Sequence, residues 1–208
     1  MNLLIFGASG GTGRYLLEQA LAQGHHVTAF ARRPAKVTTQ HPNLKVVPGD
    51  ILDYGSVAAA MPGHDAVLSA LGVYLFHKNT VLSDATRNII RAMENHGVKR
   101  FICESAIGIG DSRDQTSLFV EFIFYPLLLR HFFPDKERQE LHLRQSNLDW
   151  VIVRPGRLTN GKRTGQYRHG FGPHEKIKGA ISRADTAEFM LKQLTEDMYL
   201  RKTPGLSY

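Results

Sequence analysis

The run Gly7-Ala8-Ser9-Gly10-Gly11-Thr12-Gly13 constrains this chain more than any other stretch. It follows a mostly apolar segment, Asn2–Phe6, that reads as a strand. It opens a segment, Gly13–Gln23, that carries Leu16, Leu17, Ala20 and Leu21 at helical spacing. Between a strand and a helix, glycines at 7, 10 and 13 each meet a physical need. Gly7 permits a tight turn, Gly10 lets backbone approach a phosphate, and Gly13 lets the helix pack close to the strand. The free N–H groups of the helix's first turn and its positive dipole end then face an anion. Ser9, Gly11 and Thr12 complete the expected cradle for a dinucleotide's pyrophosphate.

Strand-like and helix-like runs alternate through the remainder. Strands are expected at His25–Phe30, Leu44–Val47, Ala66–Leu71, Arg100–Ser105 and Trp150–Arg154. Helices are expected at Ser56–Met61, Val81–His96, Ser117–Phe133, Asp135–Gln145 and Arg183–Leu194. The strands are apolar on both faces, as strands of a parallel sheet covered by helices must be. Right-handed crossovers then give an α/β, doubly wound parallel sheet of the Rossmann type. At 208 residues the chain suits one such domain, residues 1–208. The Gly-rich stretch Asn160–Gly179 reads as a surface excursion over the sheet's C-terminal edge.

The second expected strand runs into Phe30-Ala31-Arg32-Arg33, and no acidic residue stands between Glu18 and Asp50. A carboxylate near this point would accept from the ribose 2′-hydroxyl of NAD. Two guanidinium groups suit a 2′-phosphate instead. NADP is therefore expected as cofactor, with NAD less favoured. Asp50 and Ile51, in Gly49-Asp50-Ile51-Leu52-Asp53, are expected at the adenine end.

Composition narrows the remaining classes. The single cysteine, Cys103, excludes a disulfide framework and suits a reducing compartment. No charged leader precedes the first strand, so a cytoplasmic location is expected. The most apolar stretch, Leu118–Leu129, is too short to span a membrane and contains Glu121 and Pro126. Its neighbourhood is rich in aromatic residues, which suits helix core, a wall for a planar substrate, or a dimer contact. Monomer and homodimer both stay open. The formal charge of +7 favours an anionic partner. No base-reading motif accompanies it, so nucleic acid is not expected. The ten histidines show no metal-ligand spacing, and no metal is expected.

Read together with Ser69-Ala70-Leu71-Gly72, Glu104-Ser105-Ala106 and Asp149-Trp150-Val151-Ile152-Val153-Arg154-Pro155, these motifs stand in the order found in atypical short-chain dehydrogenase/reductases. The chain resembles in particular the subgroup of flavin reductase and biliverdin reductase B, together with NmrA-like proteins. The resemblance implies that Ala70, Leu71 and Gly72 run beside the nicotinamide ribose. It places Ser105 at the pocket end of the fifth strand and Pro155 beside the nicotinamide. Tyr74, Tyr125 and Arg157 would border the substrate. The flavin and biliverdin reductases carry histidines where this chain has Arg157 and near Lys136. That departure weakens a tetrapyrrole substrate more than a flavin.

Tyrosine-dependent members of the superfamily use a Tyr-x-x-x-Lys pair on the helix after the fifth strand. Here Tyr74 and Lys78 have that spacing but follow the fourth strand. Tyr125 lies in the right region, yet Leu129 stands where lysine is needed. The expectation is an NADPH-dependent reductase passing hydride directly to a flavin or similar planar acceptor. Ser105 and Lys136 are its candidate chemical residues. The alternative is a non-enzymatic NADP(H) sensor of the NmrA-like type.

Overall fold

The computed structural model describes residues 1–72, 80–115, 132–171, 177 and 179–208. Six parallel strands form the framework: β1 (Asn2–Phe6), β2 (His26–Ala31), β3 (Leu44–Pro48), β4 (Ala66–Ser69), β5 (Arg100–Glu104) and β6 (Asp149–Pro155). Helices α1 (Gly11–Ala22), α2 (Tyr54–Ala60), α3 (Val81–His96) and α4 (Phe132–Gln145) fall between them, and α5 (Arg183–Lys192) follows. The doubly wound α/β architecture read from the sequence is the one found. Strand order is β3-β2-β1-β4-β5-β6, so the winding reverses between β1 and β4. A crevice opens outside the strand C-termini at such a reversal, and ligands bind there.

Burial explains why these segments adopt these states. Leu3, Leu4, Ile5 and Phe6 are all fully buried, because β1 lies mid-sheet with helices over both faces. One core joins Leu3 and Ile5 to Leu16, Leu17, Ala20 and Leu21 of α1 and to Ala187, Met190 and Leu191 of α5. The other joins Leu4 and Phe6 to Ile89 and Met93 of α3 and to Leu143 of α4. Each leucine or isoleucine so buried contributes about 1.5–3 kcal/mol relative to exposure. Gly97 closes α3 in the left-handed conformation (φ 72°), and the N–H of Val98 donates to the Met93 carbonyl.

The Gly-rich stretch Asn160–Gly179 is more than a surface excursion: it contains β8 (Arg168–Gly170), which joins the main sheet. Its neighbour is β10 (Gly205–Ser207), inserted parallel to β6 and antiparallel to β8. Two further short strands, β7 (Arg157–Thr159) and β9 (Ala180–Ser182), pair with each other. Strands of three residues offer too little alternation to be seen in a sequence. The expected helix Ser117–Phe133 lies outside the described residues except for its last two positions, which open α4.

Candidate cofactor site

The glycine loop sits at the crevice, and two of its glycines are irreplaceable for reasons visible in the backbone. Gly7 has φ +83°, and a Cβ there would stand 2.5 Å from the Ala70 carbonyl oxygen at the end of β4. A Cβ on Gly13 would stand 1.9 Å from the Gly7 carbonyl oxygen. The turn is closed by the Gly10 N–H donating to that same oxygen at 2.8 Å. Gly10 caps α1 with no side-chain partner, so the opening N–H groups of the helix stay directed at the crevice. Ser9 and Gly11 are exposed beside them.

Thr12 is buried and turns inward, its hydroxyl donating to Glu104 Oε1 at 2.9 Å. This bond ties the start of α1 to the end of β5. Around it lies a group of buried charges drawn from three elements, β5, α4 and β6. Lys136 of α4 donates from Nζ to the Glu104 carbonyl at 3.2 Å. Ser105 Oγ donates to Glu140 Oε1 at 2.7 Å. Arg154 of β6 grips Glu140 through Nε at 3.0 Å and Nη2 at 2.6 Å, and reaches Asp111 through Nη1 at 2.7 Å. Burial pushes the Glu104 carboxyl upward, against the opposing pull of Lys136 and the Thr12 hydrogen bond. Burial likewise lowers Lys136, although Cys103, Glu104 and Glu140 favour its charge. Desolvation moves both groups toward their neutral forms. Cys103 is pushed up to about 12, again by burial, and is a packing residue rather than a nucleophile.

Arg32 and Arg33 follow the C-terminal end of β2, exposed, and neither side chain makes a hydrogen bond or ion pair among the described residues. Asp50 is exposed, with Oδ1 accepting from the Leu52 N–H at 3.0 Å. Asn88 of α3 holds the Ile51 and Leu52 carbonyls at 3.0 and 3.1 Å. Ala70 is buried against Gly7, Leu71 is half-buried and Gly72 exposed. Pro155 is buried, its carbonyl accepting from Ile107 N–H at 3.0 Å. Arg157 is exposed. Tyr74, with its partner Lys78, and Tyr125 lie outside the described residues.

Sequence reasoning missed Arg183, the first residue of α5. Its guanidinium lies on the phosphate loop: a Cβ on Gly11 would stand 2.5 Å from Arg183 Nε. Nη1 donates to Asn160 Oδ1 at 2.8 Å. It also missed Glu104, Glu140, Arg154 and Asp111 as one group, which no local spacing announces. Among the described residues, no group of three or more His, Cys, Asp or Glu could hold a metal. Nor is any described helix long and apolar enough to cross a membrane.

A glycine loop between β1 and α1, at the reversal of a doubly wound sheet, defines a nicotinamide-dinucleotide-binding domain. The chain belongs to the NAD(P)H-binding family, whose pattern matches residues 7–197, and is an atypical short-chain dehydrogenase/reductase. The uncharacterized chloroplastic protein At2g34460 of Arabidopsis thaliana is 28% identical over 206 residues, covering 94% of this chain and 72% of that relative. ChuY, an anaerobillin reductase from Escherichia coli O157:H7, is 28% identical with a TM-score of 0.82, covering 99% of this chain and 96% of its own. A Veillonella parvula short-chain dehydrogenase/reductase solved with NADP has a TM-score of 0.82 at 18% identity, covering 100% and 94%, and supports the fold alone. The fold is reductase-like and the cofactor is a nicotinamide dinucleotide.

Proposed function

We propose that this protein is an NADPH-dependent reductase that passes hydride directly to a flavin or a similar planar conjugated acceptor. The observation that carries the choice of cofactor is the pair Arg32 and Arg33. Two exposed guanidinium groups without partners among the described residues follow β2, where an NAD-specific site would place a carboxylate. They would hold the 2′-phosphate, with Gly7–Gly13 on the pyrophosphate and Asp50 and Ile51 at the adenine. Ala70, Leu71, Gly72 and Pro155 would flank the nicotinamide ribose and ring. Tyr74, Tyr125 and Arg157 would meet the acceptor. The similarity to ChuY supports a reductase, and the lack of a correctly placed Tyr–Lys pair in the sequence speaks against alcohol–ketone chemistry.

When bound, the nicotinamide supplies the hydride. The chain's own groups position the reactants and govern the proton. Ser105 is locked by Glu140, which Arg154 locks in turn, so the strand end beside the nicotinamide is held rigid. Lys136 releases a proton more readily than an exposed lysine, because burial disfavours its charge. In this reading Lys136 and the Ser105 hydroxyl, through water, return a proton to the reduced acceptor.

The test is the near-ultraviolet absorbance of NADPH with FMN or riboflavin as acceptor, repeated with NADH. Acceptor-dependent loss of NADPH, faster than of NADH, is the expected result. NADPH binding without turnover on any flavin or quinone would overturn the reductase reading in favour of a dinucleotide sensor.

A further inference from the structure

Gly11 stands outside the 7, 10, 13 spacing, and its backbone does not require glycine: its φ is not in the left-handed region. What it lacks is room. The Arg183 side chain occupies the place of a Cβ, with Nε at 2.5 Å and Cδ at 2.9 Å from that position. A glycine that makes way for a cation, at the point where a helix N-terminus meets the cofactor's phosphates, needs a reason.

The guanidinium is held in place rather than free to wander. Asn160 takes Nη1, while Nε and Nη2 donate to nothing among the described residues. Ser182 caps α5 by accepting from the Asp185 N–H, which fixes the residue preceding Arg183. Gln19 of α1 donates to the Ala184 carbonyl at 2.9 Å, so the two helices share one frame beside Arg183. The charge lies near enough to Glu104, at the end of β5, to act on that carboxyl. In the order β3-β2-β1-β4-β5-β6, Glu104 and Arg183 thus fall on the β5 side of the loop, where the proposed function puts the nicotinamide. Arg32, Arg33 and Asp50 fall on the adenine side.

We infer that Arg183 is a cofactor-binding residue that closes over the phosphate loop from α5 and takes the nicotinamide-side phosphate through its unpartnered N–H groups. Gly11 is glycine in order to admit it. This rests on the reading that the nicotinamide dinucleotide of this NAD(P)H-binding family seats at Gly7–Gly13. Arg183 adds a guanidinium to the backbone N–H groups and half dipole charge that the N-terminus of α1 offers.

Calorimetric titration tests this without turnover. The probes are NADP⁺, NAD⁺, and two half-cofactors that lack the nicotinamide-side phosphate, 2′,5′-ADP and AMP. For Arg183→Ala the expected result is a loss of about tenfold or more in affinity for the whole dinucleotide. The half-cofactors should change less than about twofold. Gly11→Ala should produce the same selective loss by displacing the guanidinium, and the double variant should be no worse than either single one. Unfolding temperatures of the unliganded variants guard against general damage. No change on NADP⁺ overturns the inference. So does an equal loss on whole and half cofactors, which would assign Arg183 to loop shape. Failure of the unaltered protein to bind any dinucleotide would overturn it too, and would show itself before any variant was made.

Discussion

Replacing Gly13 by alanine should be among the most damaging single-methyl insertions in this protein. The new Cβ would lie 1.9 Å from the Gly7 carbonyl oxygen, 2.7 Å from the Gly7 carbonyl carbon and 2.9 Å from Ala8 Cα. All three are backbone atoms, so no side chain can swing away. A carbon–carbonyl oxygen contact settles at about 3.3–3.6 Å, leaving a shortfall of roughly 1.5 Å. That equals about one residue's rise along a helix. The start of α1 cannot slide so far, because Leu16, Leu17, Ala20 and Leu21 are seated in the core and Thr12 is bonded to Glu104. Overpacking costs typically about 1–3 kcal/mol, and with backbone on both sides the cost should reach about 3 kcal/mol. For a domain of this size that lowers Tm by about 6–12 °C. It should also displace Gly10, whose N–H closes the turn, and so cost dinucleotide affinity. Gly24→Ala is the matched control: its φ is +80°, but a Cβ there meets nothing within 4 Å, so strain alone should cost about 1 kcal/mol. Thermal unfolding of both variants with and without NADP⁺ is the assay. A Gly13→Ala protein melting within about 2 °C of the parent and binding NADP⁺ normally would refute the reasoning.

Arg32→Ala combined with Arg33→Ala should weaken NADPH binding roughly tenfold or more and leave NADH nearly untouched, as read by fluorescence titration. Glu104→Gln should flatten the pH dependence of stability while keeping the Thr12 hydrogen bond, which the amide oxygen can accept. The sign follows from burial: with its folded value raised, Glu104 keeps a proton in the native state that the unfolded chain has lost. Stability therefore declines as pH rises above the ordinary value of 4.5 until the carboxyl ionises in the fold, and chemical denaturation across that range should show the decline only in the parent. Ser105→Ala should lower acceptor reduction more than NADPH affinity, because Ser105 bonds to Glu140 and not to the loop. An unchanged rate would remove Ser105 from the chemistry.

The sheet and the loop were legible because local pattern and tertiary role coincide there. Leu3–Phe6 is apolar because both faces of β1 are covered, and Gly7 and Gly13 are glycine because carbonyl oxygens stand where a Cβ would go. Arg32 and Arg33 could be noticed because they follow a strand directly and no acid stands nearby. The rest was hidden by distance along the chain. Arg183 meets Gly11 only after the sheet has brought α5 against α1, and nothing near either residue marks the pair. Glu104, Lys136, Glu140 and Arg154 come from β5, α4 and β6; Lys136 stood out only through the family resemblance, and nothing local joins the four. Their burial becomes evident only with the fold, and so does the direction of Ser105, which turns to Glu140.

The place of β10 bears on the order in which the molecule can assemble. Among the described residues, β8 pairs into the sheet only through β10, which lies more than thirty residues further along the chain. During synthesis, β8 must wait outside a sheet whose six parallel strands β1–β6 can already have found their neighbours. The backbone of Arg168–Gly170 and the exposed edge of β6 stay available to other chains in that interval. The same holds for any variant in which Gly205 no longer fits beneath Ile177, whose Cγ2 lies 2.7 Å from the position a Cβ would take. Aggregation during expression, rather than a lowered melting point, is the first symptom such a change should show.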